Sequence, residues 1–207
     1  MTYPPEPWNM RASMHMSLWP VPAFELPDVP AGTEPALLGG SGLVGTAWLV
    51  YGPGSVLEYN ELLEAVLVRH DGRPHVTITK IWVDSAASKQ GGRELWGIPK
   101  ELARFRLRSA TGQAGESRVA SFAADGIASA GFTRLAKLPG NWPFDYQLAQ
   151  TLDGRLKISG FHGSSPAGLC TASWRFEASG PLAWLAGRRP LASVQLRDVS
   201  LRFGDEN

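Results

Sequence analysis

The sequence predicts a mainly β protein, and three observations carry that prediction. Glycine and proline are frequent, at 23 and 16 of 207 residues. Many short apolar runs are separated by Gly, Pro, Asp and Ser, the residues that end strands and build turns. No long stretch shows the spacing of an amphipathic helix. The length suits one well-filled core, so residues 1–207 are read as a single domain.

Taken in order, the chain opens with the proline- and aromatic-rich segment Met1-Thr2-Tyr3-Pro4-Pro5-Glu6-Pro7-Trp8, read as a flexible arm over residues 1–8. From Arg11 to Leu18 the residues alternate as in a strand, with Ala12, Met14, Met16 and Leu18 on one face and Arg11, Ser13, His15 and Ser17 on the other. The second face is polar, which suits either solvent or the lining of a cavity. Gly39, Gly40, Gly42 and Gly45 fall close together, but no Gly-Lys-Ser/Thr follows and the spacing fits no dinucleotide fingerprint. A turn running into an apolar strand that ends at Tyr51 is the reading there. After the break at Gly52-Pro53-Gly54-Ser55, the stretch Tyr59 to Arg69 can be written as a short helix or as a turn running into a strand.

Val76 to Val83 is almost entirely β-branched or aromatic and predicts a strand. Asp84 or Ser85 is placed to cap a short helix that leads toward Gly91-Gly92-Arg93-Glu94-Leu95-Trp96-Gly97-Ile98-Pro99-Lys100-Glu101. Beyond it, strands are predicted over 103–107, 117–123, 127–135, 147–152, 156–161, 169–178 and 194–203. Their breaks fall at Gly112, Gly126, Pro139-Gly140, Asp153-Gly154 and Gly163-Ser164, and Asp-Gly favours a hairpin. Gly180 to Ala186 reads as a short helix.

Composition excludes several classes of function. A net charge of +1 offers no electrostatic capture of nucleic acid or of an anionic membrane. Cys170 is the single cysteine, so neither an internal disulfide nor a cysteine metal cluster is available, and the four scattered histidines lack the close pairs that zinc prefers. No metal or other cofactor is expected. The N-terminus lacks a basic region followed by an apolar one, and no apolar run reaches the length of a membrane span. A soluble cytoplasmic protein is the expectation.

The densest concentration of chemistry is the stretch from Gly92 to Lys100. Gly97 and Pro99 punctuate the backbone, and the position before a proline is driven into extended conformation, so Lys100 enters a strand rigidly held at its start. The pattern Gly92-Arg93-Glu94-x-x-Gly97-x-Pro99-Lys100 resembles the active-site segment of the acetoacetate decarboxylase-like family. There the lysine after the proline forms a Schiff base with a keto acid. The likeness extends to Tyr59-x-Glu61-x-x-Glu64-Ala65, to Asn9-Met10-Arg11, and to the spacing from Gly180-Pro181 to Leu201.

The resemblance implies an antiparallel, double-layered cone- or barrel-like sheet enclosing a pocket. It implies Lys100 as nucleophile, Glu61 as the acidic group facing it, Arg11 as the holder of the substrate carboxylate, and a homo-oligomer. Trp96, with Ile98 and Trp82, is a candidate lining residue. Two departures stand out. The decarboxylases end the motif Pro-Lys-Lys, where this chain has Glu101, and their second acidic residue falls near Thr46. Desolvation in an apolar site is then the expected source of a free amine at neutral pH. The expected activity is a lyase decarboxylating a small keto acid. A Schiff-base aldolase or dehydratase, and a binding protein that kept the cavity without the chemistry, are the alternatives.

Overall fold

The computed structural model describes residues 3–111 and 117–204, so the predicted break at Gly112 lies outside the described residues. The strands are β1 (Trp8–Pro22), β2 (Glu34–Pro35), β3 (Leu37–Leu38), β4 (Ser41–Tyr51), β5 (Tyr59–His70), β6 (Arg73–Val83), β7 (Lys100–Leu102), β8 (Phe105–Thr111), β9 (Ser117–Ala124), β10 (Ala128–Lys137), β11 (Trp142–Leu152), β12 (Arg155–Ser165), β13 (Ala167–Phe176) and β14 (Ala192–Phe203). One α-helix, α1 (Ala86–Trp96), and two single-turn helices at Ala23–Glu25 and Ala183–Leu185 complete the order. The open choice at Tyr59 resolves as strand.

Strands β1, β4, β5, β6, β11, β12 and β14 form a closed barrel, because β14 pairs with β1 as well as with β12. Closure removes the unpaired edges that an open sheet exposes. Most neighbours are antiparallel, and the exceptions are the parallel pairings of β6 with β7 and with β11. The near half of β14 also pairs with β13, which continues the sheet through β10, β9 and β8. That extension folds back over the barrel as a second layer. Trp48, Leu62 and Trp82 from the barrel's outer face meet Phe122, Ala130 and Phe132 of the extension in one buried cluster. The double-layered barrel expected from the sequence is the observed architecture.

Irregularities in register set which side chains enter the barrel. Between Ala12 and Met14 of β1 the partner advances from Val199 to Leu196, leaving one extra residue on β14, where Asp198 has a φ of 49°. The inward parity of β14 therefore changes from Val194 and Leu196 to Leu201 and Phe203. On β6 a similar step, from Lys80 to Ile78 opposite Glu64 and Ala65, switches the inward positions from Ile81 to Ile78 and Val76. The β5–β6 and β11–β12 hairpins turn at Asp71-Gly72 and Asp153-Gly154, with all four residues at positive φ, as a two-residue turn between twisted strands requires.

Residues 3–8 were expected to be a loose arm on account of their prolines. In the structure Trp8 opens β1 and is buried, Tyr3 donates to Glu94, and the Trp96 indole donates to Glu6. The aromatic side chains of the segment supply apolar area that packs against α1. No helix among the described residues is long and apolar enough to cross a membrane.

Candidate active site

Lys100 is positioned by the end of α1. Ser85 caps the helix by accepting from the Ser88 backbone N–H at 3.2 Å. Ser88, Gly91, Gly92 and Trp96 form the buried face, the i, i+3, i+4 and i+8 stripe of a helix laid on a core. Two adjacent glycines weaken a helix interior, and the packing gives their reason. A Cβ on Gly91 would sit 2.6 Å from the Trp8 ring, and one on Gly92 would sit 2.7 Å from Lys100 Cδ. The helix thus lies directly against the lysine side chain.

Gly97 ends the helix in the left-handed conformation, with φ 67°, and its N–H returns to Arg93 O. A Cβ there would meet Thr151 O at 2.3 Å, so conformation and space both demand glycine. Ile98 and Pro99 then deliver Lys100 into β7, beside Ile81 of β6. Arg93 fastens the turn through its Nε, which donates to Lys100 O at 2.7 Å. Glu101 points the opposite way, as the next residue of a strand must. It is held outside by Lys89 at 2.7 Å and by Arg93, and these cations keep its carboxyl below the usual range.

The Lys100 amine is buried. It donates to Ser88 Oγ at 2.9 Å, Glu61 Oε2 at 3.0 Å and Tyr59 Oη at 3.2 Å. Glu61 is equally buried, and its Oε1 accepts from Tyr51 Oη at 3.1 Å. Tyr51 and Tyr59 face each other across β4 and β5, their rings 4.4 Å apart. Desolvation alone would push the Lys100 amine down, but the Glu61 carboxylate and the Tyr59 hydroxyl hold it above its ordinary value. Burial raises the Tyr51 phenol well above its usual range, and the neighbouring Glu61 adds to that rise. Lys100 and Glu61 thus form a buried, directly bonded pair. The counter-charge of Glu61 opposes the desolvation on which the sequence reading relied.

This polar group opens on a cavity of about 680 Å³ enclosed by the barrel. Among its described lining residues only Lys100 and Glu61 carry charge. Trp96 lines it as expected, with Ile98. The Trp96 ring stands edge-on to Trp8 and Phe203, at 4.8 and 4.3 Å, and its N–H points away to Glu6.

Several residues considered from the sequence lie away from the amine. Arg11 is exposed on the outer face of β1, opposite in parity to Met10, Met14 and Met16, which line the cavity, so the structure does not bring it to Lys100. The side of β1 read as polar is the one turned away from the cavity. Trp82 faces the second layer rather than the cavity. Thr46 likewise points away, accepting from the Trp19 indole at 2.9 Å, so a residue at that position does not reach the amine. Glu64 is also buried away from the cavity, accepting from Thr79 and Trp184. Ser88, Tyr51 and Tyr59 were not singled out from sequence. Tyr59 had a signal, because it stands two residues before Glu61 and shares its face of a strand. Ser88 falls at helical spacing from Gly91 and Gly92.

The family model described as acetoacetate decarboxylase matches residues 6–137. An acetoacetate decarboxylase from Acidiphilium cryptum is 38% identical over 47 residues, which is 23% of this chain and 19% of that one. The chain thus matches only about a fifth of that curated relative's length. Among solved structures, the enduracididine biosynthesis enzyme MppR complexed with pyruvate superposes with a TM-score of 0.69 at 22% identity, over 97% of this chain and 88% of that one. An acetoacetate decarboxylase from Legionella pneumophila gives 0.68 at 17%, over 99% and 87%. An acetoacetate decarboxylase-like enzyme from Sphingomonas wittichii gives 0.68 at 16%, over 96% and 91%. At these identities the structural likeness shows a shared fold.

Proposed function

The chain belongs to the acetoacetate decarboxylase family, and from that premise we propose that it is a Schiff-base-forming lyase in which Lys100 attacks the ketone of a β-keto acid and carbon dioxide is released. The observation that carries this reading is a buried lysine amine, bonded to a buried carboxylate, at the wall of an apolar cavity.

The ion pair is a stored nucleophile. Both charges are desolvated, so moving one proton from Lys100 to Glu61 exchanges a buried charged pair for a neutral amine and a neutral acid. A substrate that expels water from the cavity shifts the balance toward the neutral pair. The amine then adds to the carbonyl carbon, and Glu61 returns its proton so that the carbinolamine oxygen leaves as water. The resulting iminium accepts the electron pair of the bond to the carboxylate, carbon dioxide departs, and an enamine remains. Protonation of carbon and addition of water release the ketone and restore Lys100. Tyr59 and Ser88 aim the amine throughout, and Tyr51 does the same for Glu61.

A second reading has its own support. No arginine, histidine or second lysine lines the described cavity wall to hold a carboxylate, and this favours a Schiff-base aldol or condensation reaction on a neutral ketone. Two measurements on wild type and Lys100→Ala separate these readings. Carbon dioxide release from β-keto acids supports the decarboxylase. Exchange of ketone oxygen with solvent, without carbon dioxide release, supports the second reading. Activity that survives in Lys100→Ala contradicts both.

A further inference from the structure

The cavity is much larger than a small keto acid needs. At about 30 Å³ per water-sized heavy atom, 680 Å³ accommodates about twenty heavy atoms. Acetoacetate, by the same measure, fills about 200 Å³. What would be left is no place for water, because the remaining wall offers almost no polar partner. Away from Lys100 it is formed by residues such as Met14, Met16, Leu18, Gly45, Leu63 and Val194. Pockets of this size normally bury most of a ligand's own surface.

The lining also adapts to shape. Met10, Met14 and Met16 all face the cavity, and flexible, polarizable methionines fill irregular space against varied apolar groups. Trp142 and Tyr146 of β11 are the most exposed of the aromatic lining residues, at 51% and 54%, and mark where the cavity meets solvent. Charge is confined to the Lys100–Glu61 pair, so recognition of a substrate rests on the apolar wall together with the one covalent contact.

We propose that the substrate is a β-keto acid carrying a long aliphatic tail of about ten or more carbons, its carbonyl at Lys100 and its tail filling the methionine- and leucine-lined remainder of the cavity. This substrate class rests on the Schiff-base reading above for its reactive head, but the tail site stands on the cavity alone. Each buried methylene contributes about fourfold in affinity when fully removed from water.

The experiment uses the stable product ketones as probes: acetone, methyl pentyl ketone and methyl nonyl ketone. Binding is followed by calorimetry, and adducts are fixed with cyanoborohydride and read by mass spectrometry. Half-saturation is expected to fall by roughly a hundredfold or more from acetone to methyl nonyl ketone, a fraction of the full transfer value. In Gly45→Leu, where the added Cβ meets only Leu18 Cδ2 at 3.8 Å, the gain with chain length shrinks while cooperative unfolding is kept. Ala47→Met gives the same readout if Gly45→Leu does not fold. Equal half-saturation for all three ketones overturns the tail site and leaves the Schiff base standing. Graded binding with no adduct supports the tail site and overturns the Schiff base. Absence of both binding and adduct overturns both.

Discussion

Lys100 Nζ lies 3.0 Å from Glu61 Oε2, and each of these side chains is only 4% exposed. A pair so placed is held by mutual neutralisation, and removing either partner leaves the other charge buried alone. Lys100→Ala is expected to cost about 3–5 kcal/mol of stability for that reason. The double variant Lys100→Met with Glu61→Gln recovers most of it. Chemical denaturation of wild type, the single variant and the double variant checks both statements.

Glu61→Gln separates the two things Glu61 does to the amine. It removes the carboxylate that raises the Lys100 amine and leaves the desolvation that lowers it. The amine therefore becomes easier to deprotonate, and labelling by a small amine-selective reagent at neutral pH is expected to speed up. Turnover is expected to fall by about 10²–10⁴-fold, the usual contribution of a proton-transferring side chain. A merely structural glutamate moves neither reading in this opposed way.

Gly92→Ala tests how closely the helix seats the lysine. Its new methyl would sit 2.7 Å from Lys100 Cδ and 2.9 Å from Cε, so the side chain must shift. Stability is expected to drop by about 1–3 kcal/mol, as for other overpacked sites, and Schiff-base formation is expected to slow more than ketone binding weakens. Stopped trapping reactions at saturating ketone measure the first effect, and calorimetry the second.

His15 gives a prediction outside the site. It is buried between barrel and second layer against Phe122 and Phe132, at 4.9 and 5.1 Å, and burial lowers it to about 4. Because the folded value lies below the unfolded value of about 6.5, the unfolded chain binds the extra proton first. Full stability from this group is present above pH 6.5 and is lost as the pH falls toward 4. The loss is about 3 kcal/mol for a shift of this size. His15→Phe is expected to flatten that part of the stability profile, which urea denaturation from pH 7 to 4 follows.

How much of this was legible beforehand depends on how local the determining physics is. The strand set follows from alternation and from turn residues, and the helix from its cap at Ser85 and its stop at Gly97, all local features. Lys100 and Glu61 were both marked, although the partners that complete their polar cluster come from β4, β5 and α1 and meet through strand pairing and the seating of the helix. Arg11 shows the limit. Alternation correctly assigned it to one face of β1, but which face looks inward depends on the pairing with β4 and β14, and the apolar face won because the cavity itself is apolar. The extra residues at Asp198 and in β6 reset the inward parity, and no composition rule locates them.

The most direct test of the account is the site of covalent capture. Wild-type protein is incubated with a β-keto acid, reduced with borohydride, digested and mapped by mass spectrometry, with Lys100→Ala carried alongside. The account predicts a product-ketone adduct on the peptide containing Lys100, with none in the variant. Carbon dioxide release by wild type with no adduct at Lys100, or an adduct at another lysine that persists in the variant, would contradict it.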